Sequence, residues 1–539
     1  MNGWQRVSVL GCVLVLSLGG PVCFGQGGAS AGLAGSASIA PGKMARIGTI
    51  DERFQSYNIE AVEVTGGRFW KPYAKVGEVK PVVEKPNSAS AMPGMDPLLY
   101  EYRTPIDLSN ARLRKLASAL GPAYVRVSGT WMNSTYFQDS DAPAPAAAPN
   151  GFNSAMTRAE WKGVIDFARA ANAEIVTSYA TSAGTRDAEG VWTPVEAKKF
   201  VDYTKSIGGR IAAAEFMNEP TLAAIGGAPK GYDAAAYAKD FVVFKKFVQS
   251  DAAGMIVLGP GGVMEGSTQL PSFMHAVTSE DILAATGPVF DAYSYHSYGA
   301  VSSRCAGPGM ALGTSIDLAL TEGWLARGGQ IEAYYAAIRD RLIPGKAIWL
   351  TETAQAACGG DRWASTFLDS FRYLDQLGSL AGRGVQVHMH NTLSASDYGL
   401  LEEKSYEPRP NYWSALLWRR LMGTTVLDPG SSPSANLHFF AQCLRGKPGG
   451  VTLLAINADK TTAQTIAIPT DAERYTLTSP DLLSSQVELN GSELKLGAGD
   501  ELPKLKGIAA HAGQVTLAPA SITFLAFSKA NNASCQSGK

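Results

Sequence analysis

Short apolar runs alternate with segments in which apolar residues recur every three or four positions, from about Ala40 to Leu421. Eight runs read as strands: Gln55–Val64, Ala123–Ser128, Glu174–Tyr179, Ile211–Met217, Met255–Gly259, Val289–Tyr295, Ala347–Thr351 and Val385–His390. The helical spacing falls between and after them, over Asn110–Leu120, Arg158–Ala171, Pro194–Ile207, Ala234–Asp251, Leu270–Leu283, Asp317–Leu342, Ser365–Leu380 and Asn411–Leu421. Several of these helices follow a capping residue, as at Ser109, Thr157 and Thr193. The fifth is short and contains Pro271, which weakens its pattern. Eight βα alternations predict the α/β class, as a (β/α)8 TIM barrel.

Past Gly423 the texture changes. Leu437–Cys443, Val451–Asn457, Thr465–Ile468, Tyr475–Thr478, Val487–Leu489, Gly513–Leu517 and Thr523–Ser528 are short β-type runs split by Gly, Pro, Asn and Asp, with no helical pattern between them. They predict a C-terminal β-sandwich. At 539 residues the chain exceeds one ordinary core, and we place the barrel at 49–424 and the sandwich at 425–539. The segment 26–48 is a Gly/Ala/Ser-rich linker able to add a strand to the sandwich. Residues 1–25 read as a signal peptide: Arg6, an apolar run from Val7 to Leu18, then Gly19-Gly-Pro21 and small residues up to a cleavage site near Gly25. That run is too short to span a bilayer, which takes roughly 20 residues. A secreted or periplasmic protein without stable membrane association is expected.

Export makes the cysteines informative. Setting aside Cys12 and Cys23 leaves Cys305, Cys358, Cys443 and Cys535, an even number in a disulfide-permissive compartment. Four cysteines allow three pairings. Cys443 and Cys535 both lie in the sandwich, and Cys305 and Cys358 in loops after strands six and seven on one barrel face, so each pair can meet. None has metal-ligand spacing and the six histidines form no HExxH-type cluster, so no metal site is expected. The 47 basic and 48 acidic residues nearly cancel, which gives no reason to expect nucleic acid or an anionic membrane as partner.

The strand ends carry the chemistry. Strand four runs Ile211-Ala-Ala-Ala-Glu-Phe-Met-Asn-Glu-Pro220 and strand seven Ala347-Ile-Trp-Leu-Thr-Glu-Thr353. In a parallel barrel this edge is where catalytic groups sit, and two carboxyls facing one another are the minimum equipment for glycoside hydrolysis. The competing assignment is structural, with Glu219 capping a helix and Glu352 paired with a buried arginine. Other strand ends offer Glu60, Arg126, Ser128, Thr130, Asn218, Tyr295, His296, Tyr298, His388, His390 and Asn391, with Tyr398 in the loop beyond. Arg126 is expected to support the site through an ion pair. His296, His388 and His390 read more readily as satisfied core groups than as catalysts. Glu215 is expected lower in the barrel as a structural residue. The interval between Glu219 and Glu352 exceeds by about 40 the roughly 93 residues that three βα units need. The excess is visible as the Gly-rich loop Gly299–Gly313 and the segment after it.

Asn-Glu-Pro closing strand four and Glu closing strand seven resemble the retaining glycosidases of clan A. Within that clan, Pro122-Ala-Tyr-Val-Arg126, Ser128-Gly-Thr130, Tyr295-His296, Glu352-Thr353, Cys358-Gly-Gly360, Asp397-Tyr398, Pro410-Asn-Tyr-Trp413 and Trp-Arg-Arg-Leu-Met-Gly-Thr at 418–424 resemble glycoside hydrolase family 79, the heparanase and β-glucuronidase family, from about Thr49 to Leu427. The resemblance implies Glu219 as acid/base and Glu352 as nucleophile. It implies backbone N–H groups of Gly359 and Gly360, with the Tyr398 hydroxyl, on a uronate carboxylate. Glu60 and Thr130 would hold hydroxyls of that sugar, Asn218 the 2-hydroxyl and Tyr298 the nucleophile, while Asn391 stands where the family often has Gln. The sandwich bridge Cys443–Cys535 also matches the family's pattern.

The expectation is therefore an exported, cofactor-independent retaining hydrolase of β-linked glucuronic acid, acting on a β-glucuronide or a uronate-containing oligo- or polysaccharide. Three alternatives stay open: an endo-β-glucuronidase of heparanase or hyaluronidase type on glycosaminoglycans, a clan relative acting on neutral sugars, and a carbohydrate-binding protein on an inactive barrel.

Overall fold

The computed structural model describes residues 37–73, 97–223, 225–266, 277–305 and 313–536. Eight parallel strands pair in chain order into a closed barrel: β1 (Gln55–Glu60), β2 (Ala123–Ser128), β3 (Ala173–Thr177), β4 (Ile211–Glu215), β5 (Ile256–Gly262), β6 (Ala292–Tyr298), β7 (Ala347–Ala354) and β8 (Val385–His390). The main helices are α1 (Ala111–Ala119), α2 (Arg158–Ala170), α3 (Val195–Ser206), α4 (Ala234–Asp251), α5 (Ser279–Thr286), α6 (Arg327–Leu342), α7 (Phe367–Gly382) and α8 (Pro410–Leu421). The expected signal segment, its cleavage site, Cys12, Cys23 and part of the linker lie outside the described residues.

Where pattern and structure differ, local hydrogen bonds decide. The first strand stops at Glu60 rather than Val64, because the Glu60 N–H donates to Glu63 Oε2 (2.7 Å) and the chain turns into a short helix, Ala61–Thr65. The fifth helix begins at Ser279, where Thr278 Oγ1 accepts from the Asp281 N–H; the expected start at Leu270 falls outside the described residues. The expected helix Asp317–Leu342 is two, Glu322–Leu325 and α6, in a stretch weakened by Gly323, Gly328 and Gly329. Thr157 forms a capping box with Glu160. At α1 the cap is Asn110, with Ser109 bonded instead to Asp107. At α3 Pro194 holds the cap position, and the Thr193 hydroxyl donates to the Thr185 carbonyl.

Two-residue periodicity divides each strand between two environments. Val125, Val127, Phe216, Tyr293 and Tyr295 face the helices and join the main apolar core. The opposite faces fill the barrel. At its base Tyr124, Val176, Ala213, Leu258, Ala292, Trp349, Val387 and Met389 form a separate apolar plug, with the Tyr124 and Trp349 rings 5.1 Å apart. Two residues further along the same strands the inward positions turn polar, at Arg126, Glu215, Ser294 and Thr351, all buried. The pairing of β6 with β7 slips between Tyr295 and His296, so that Tyr295 faces Leu350 and His296 faces Glu352. The bulge at Thr351 re-aims the end of β7, where bulges commonly serve an active site.

The C-terminal unit packs a nine-stranded sheet against a three-stranded one, with Leu437, Phe439, Leu453, Ile466, Val515 and Phe527 among its core. The first sheet includes Met422–Leu427, which follows α8 directly and spans the expected boundary at 424. The N-terminal segment contributes to both sheets. Ala37–Ser38 pairs with Gln464–Ile468 and Arg46–Thr49 with Met422–Leu427. The Asn532 side chain donates to the Pro41 and Met44 carbonyls, 2.8 Å each. Cys443 and Cys535 are bridged within this unit, with Cα atoms 5.3 Å apart. The sandwich docks on α7: the carbonyls of Leu482 and Ser484 accept from the N–H groups of Leu368 and Phe367 (2.8 and 2.9 Å), and Phe440 lies flat on Gly378.

A Cβ on Gly378 would meet the Phe440 ring at 2.2 Å. Gly378→Val should therefore destabilise the protein by about 1–3 kcal/mol, as overpacked cores do. Gly382→Ala, on the same helix with open space around the new Cβ, should stay close to wild type. Urea unfolding of the three proteins checks both.

Candidate active site

Beyond β4 the chain continues as Phe216-Met217-Asn218 and turns at Glu219, which adopts the left-handed conformation at φ 47°, ψ 61°. A glutamate there is strained, and the surroundings have to hold it. Asn133 does so from the loop after β2: its Oδ1 accepts from the Asn218 N–H (2.8 Å), and its Nδ2 donates to the carbonyls of Asn218 (2.9 Å) and Gly226 (3.0 Å). Glu219 Oε1 then lies 2.9 Å from His296 Nδ1.

Glu352 leaves the β7 bulge to face it. Its Oε2 accepts from Arg126 Nη1 (2.8 Å) and its Oε1 from the Tyr298 hydroxyl (2.6 Å). One carboxylate oxygen each of Glu219 and Glu352 and a ring nitrogen of His296 lie within 4.8 Å of one another. Among the described residues this is the one group of acidic and imidazole ligands close enough to hold a metal ion. Both oxygens of Glu352 already have donors, so a cation would have to break those bonds, and the set fits a metal poorly.

Arg126 is almost wholly buried and organises this end of the barrel. Besides Glu352 it reaches Glu215 Oε2 (2.9 Å), Asn218 Oδ1 (2.7 Å) and His296 Nε2 (3.2 Å). Burial pushes the His296 imidazole down, but the Glu352 and Glu219 carboxylates outweigh it and raise its titration. Glu215 also accepts from the hydroxyls of Ser294 and Thr351, both at 2.8 Å. Burial pushes the Glu215 carboxyl up, but Arg126, His296 and these hydroxyls outweigh it and hold it below the usual range. Burial also pushes Glu219 up, the Glu352 charge adds to this, and the contacts with His296 and Arg126 do not cancel it.

A second set of groups comes from β1, β2 and the chain just past β8. Burial and the Glu352 charge drive the Glu60 carboxyl well above its ordinary range, against Arg126 and Asn391. Glu60 Oε1 accepts from Asn391 Nδ2 (3.0 Å), while the buried Oε2 has no partner among the described residues. A Cβ on Gly129 would lie 1.6 Å from that oxygen, at a φ of +94° that glycine adopts freely. Asn391 Nδ2 also faces the hydroxyls of Tyr298 (3.1 Å) and Tyr398 (3.2 Å). Burial, with Glu60 and Glu352 nearby, keeps the Tyr398 phenol protonated far above neutrality.

These residues line one cavity of ≈ 560 Å³, together with Thr130. Glu60, Thr130, Glu219, Tyr298, Glu352, Asn391 and Tyr398 thus meet in one place, with Arg126, Asn218 and His296 beneath them. Gly359 and Gly360 do not line it; Ala357 and Cys358 do. The Gly360 N–H donates to the Ala356 carbonyl (3.2 Å), and Gly359 packs on Trp70. Cys358, Gly359 and Gly360 all have positive φ, and the N–H groups of Cys358 and Gly359 have no partner among the described residues. Cys358 is bridged to Cys305, with Cα atoms 6.5 Å apart.

Other candidates fall elsewhere. Tyr295 packs on Tyr335 behind the barrel, and Ser128 bonds Ser178 (2.6 Å). Burial depresses His388 strongly and His390 to about 3, so both are neutral; His390 Nε2 donates to the Tyr398 carbonyl (2.8 Å). Glu215, expected lower in the barrel as a structural residue, is buried and bonded to the arginine that holds Glu352. Sequence reasoning missed Asn133 and the aromatic residues Trp70, Tyr100 and Trp131 around the cavity. Trp131 and Asn133 lie one and three residues after Thr130 and could have been included with it. Trp70 and Tyr100 sit in a hairpin, Gly67–Trp70 with Tyr100–Arg103, that no strand-end argument reaches.

Residues 103–378 match the family described as glycosyl hydrolase family 79, N-terminal domain. Heparanase-like protein 1 of Arabidopsis thaliana is 25% identical over 494 residues, covering 80% of this chain and 86% of that protein. The baicalin-β-D-glucuronidase of Scutellaria baicalensis is 26% identical over 466 residues, covering 78% and 83%. Among solved structures, a 4-O-α-L-rhamnosyl-β-D-glucuronidase from Fusarium oxysporum 12S superposes with a TM-score of 0.59 at 14% identity, covering 91% of this chain and 99% of that one. An arabinofuranosidase superposes at 0.60 with the same identity and coverage. At such identity the structural matches establish the fold alone.

The electrostatics of the facing carboxyls can be tested directly. Because the Glu352 charge raises the Glu219 titration, Glu352→Gln should lower it. Infrared or ¹³C-glutamate NMR titration, with the Glu219 signal assigned from Glu219→Gln, reads the direction; an unmoved or raised midpoint contradicts the coupling.

Proposed function

This chain is a member of glycosyl hydrolase family 79, and on that premise we propose that it is a retaining exo-β-glucuronidase. It is a glycosidase; the uronate, the exo action and the double displacement are our reading. The observation that carries the mechanism is the approach of Glu219 and Glu352, one oxygen of each lying within 4.8 Å of the other. Retaining pairs stand about 5–5.5 Å apart and inverting pairs about 6.5–9.5 Å, to admit a water.

In this mechanism Glu219 protonates the glycosidic oxygen while Glu352 attacks the anomeric carbon. Oε1 of Glu219 accepts from His296, which leaves Oε2 to carry the proton. Arg126 and Tyr298 fix both oxygens of Glu352 in an attacking position and so remove the entropy of aligning it. When Glu352 becomes an ester its charge disappears, and with it one contribution holding the Glu219 titration up. Glu219 is then a better base for the water that releases the sugar.

The glycone pocket suits a uronate. Its carboxylate would meet the Tyr398 hydroxyl, kept as a donor by its raised titration, and the amide of Cys358, which lines the cavity. A backbone N–H is a donor whose charge state cannot change. A lysine there would depress the Glu219 titration and weaken the acid. Glu60 Oε2, Thr130 and Asn218 are placed to hold hydroxyls. Exo action is supported by the hairpin after β1: Trp70 packs on Gly359 and stacks on Tyr100 (4.5 Å), and the Tyr73 N–H donates to Asp397 (3.1 Å). These contacts tie the hairpin to the loops after β7 and β8, beside Tyr398. The two disulfides support residence in an oxidising compartment.

A panel of aryl β-glycosides tests the substrate class, with the glucuronide expected to exceed glucoside, galactoside and xyloside. A hydrogen bond to a charged group is worth roughly 1.5–3 kcal/mol, so Tyr398→Phe should cost about ten- to a hundredfold in kcat/KM on the glucuronide and much less on the glucoside. Equal losses would remove Tyr398 from carboxylate recognition.

The two glutamates should fail differently. Glu352→Gln should abolish turnover of every substrate, whereas Glu219→Gln should retain most activity on dinitrophenyl glycosides, whose leaving group needs little protonation. An initial product of α configuration by NMR would exclude retention.

A further inference from the structure

The two facing glutamates are held in different ways. Glu352 is fixed at its carboxylate, by Arg126 (2.8 Å) and Tyr298 (2.6 Å). The Glu219 carboxyl meets His296, and its place is otherwise set by the backbone that carries it. Alongside β4, the chain leaving β3 reaches the Phe216 carbonyl, which accepts from the Tyr179 N–H (3.4 Å). Two residues further on, one side chain takes both main-chain groups of Asn218. Asn133 Oδ1 accepts from the N–H and Nδ2 donates to the carbonyl. A side-chain amide offers the same donor and acceptor as a peptide, so Asn133 pairs with the strand end as a neighbouring strand would.

Asn133 is itself tightly placed. It is fully buried, its second amide proton goes to the Gly226 carbonyl (3.0 Å), and its own carbonyl accepts from the N–H groups of Thr181 (2.8 Å) and Ser182 (3.0 Å). Turning the amide over would set its oxygen against two carbonyls, so one orientation serves. The loops after β2, β3 and β4 therefore meet at this residue. The carbonyl it holds belongs to the peptide that joins Asn218 to Glu219. Rotation of that peptide is the motion by which Glu219 would leave its left-handed conformation, which is costly for a glutamate. Asn133 blocks it.

We propose that Asn133 is the positioning residue of the acid: its amide keeps Glu219 in the conformation from which the carboxyl reaches the leaving oxygen. The inference rests on Glu219 being the acid/base of the proposed glycosidase. Asn133 does not line the cavity, so it acts through the turn alone, while Glu352 keeps its own two donors. A displacement of about 1 Å in a reacting group costs roughly a hundredfold in rate. Loss of the clamp therefore falls on the steps that move a proton through Glu219 and spares the attack by Glu352.

The test uses the full chain and the glycone that the wild type cleaves best, carried on phenol and on dinitrophenol. In Asn133→Ala, kcat/KM on the phenyl glycoside should fall about ten- to a hundredfold, and on the dinitrophenyl glycoside about threefold or less, since that leaving group needs little protonation. On the dinitrophenyl glycoside kcat and KM should fall together, because the second step still calls on Glu219 as base and the ester of Glu352 accumulates. Asn133→Asp keeps the shape and the acceptor but turns an oxygen to two carbonyls. It should give the same split, and it stands in if the alanine variant does not fold. Glu219→Gln, measured alongside, separates two failures. If it loses equally with both leaving groups, Glu219 is not the acid and the inference falls with that assignment. If it distinguishes them while the Asn133 variants lose equally on both, lose nothing, or do not fold at all, Asn133 serves the fold alone and the proposal is overturned.

Discussion

The burial of one guanidinium sets the terms for the whole catalytic end of this barrel. Arg126 stands at the centre of a carboxylate-rich space, with Glu60, Glu215, Glu219 and Glu352 around it. Removing a cation from water costs several kcal/mol unless its partners restore the solvation. Here its N–H donors go to Glu215, Glu352, Asn218 and His296. The arrangement is reciprocal. Without Glu215 the cation would be under-compensated, and without Arg126 the four carboxyls would repel one another in a buried space. That mutual dependence places Glu352, so that the geometry at the rim is decided two residues down the strands.

Much of this was legible in the sequence because the barrel imposes a strict period. The runs Ala123–Ser128 and Val385–His390 are strands over the residues their apolar alternation indicates, and the polar terminations of β4 and β7 bring Glu219 and Glu352 together. What escaped follows from contacts that periodicity does not encode. The role of Glu215 depends on three other strands supplying Arg126, Ser294 and Thr351. The loop Cys358-Gly-Gly360 presented two glycines as candidate donors, yet Gly360 already bonds Ala356, and of these three residues Cys358 lines the cavity. The bulge at Thr351 is set by the β6–β7 pairing and leaves no mark in either run taken alone. Caps behaved similarly: Ser109 and Asn110 are both competent, and the nearby Asp107 decided between them.

The cavity also illustrates why fold and specificity separate. Its upper rim is assembled from segments that share no regular spacing: a hairpin after β1, a short turn after β4, and loops after β5 to β8. Each can change length or character without disturbing the plug of Tyr124, Trp349 and their neighbours below. Structures with TM-scores near 0.6 and only 14% identity are what such a division produces.

The stitching of Ala37–Thr49 into sheets made otherwise of residues beyond Leu421 has a consequence for biogenesis. During synthesis the first strands emerge hundreds of residues before their partners, so the barrel can close while both sheets of the sandwich are still missing material. Final assembly brings the two ends of the described chain together at Asn532, whose side chain ties the turn at Pro41 and Met44. The chain topology therefore resembles a clasp: a fusion or truncation close to residue 40 acts on the last unit to fold, even though in sequence it lies beside the first.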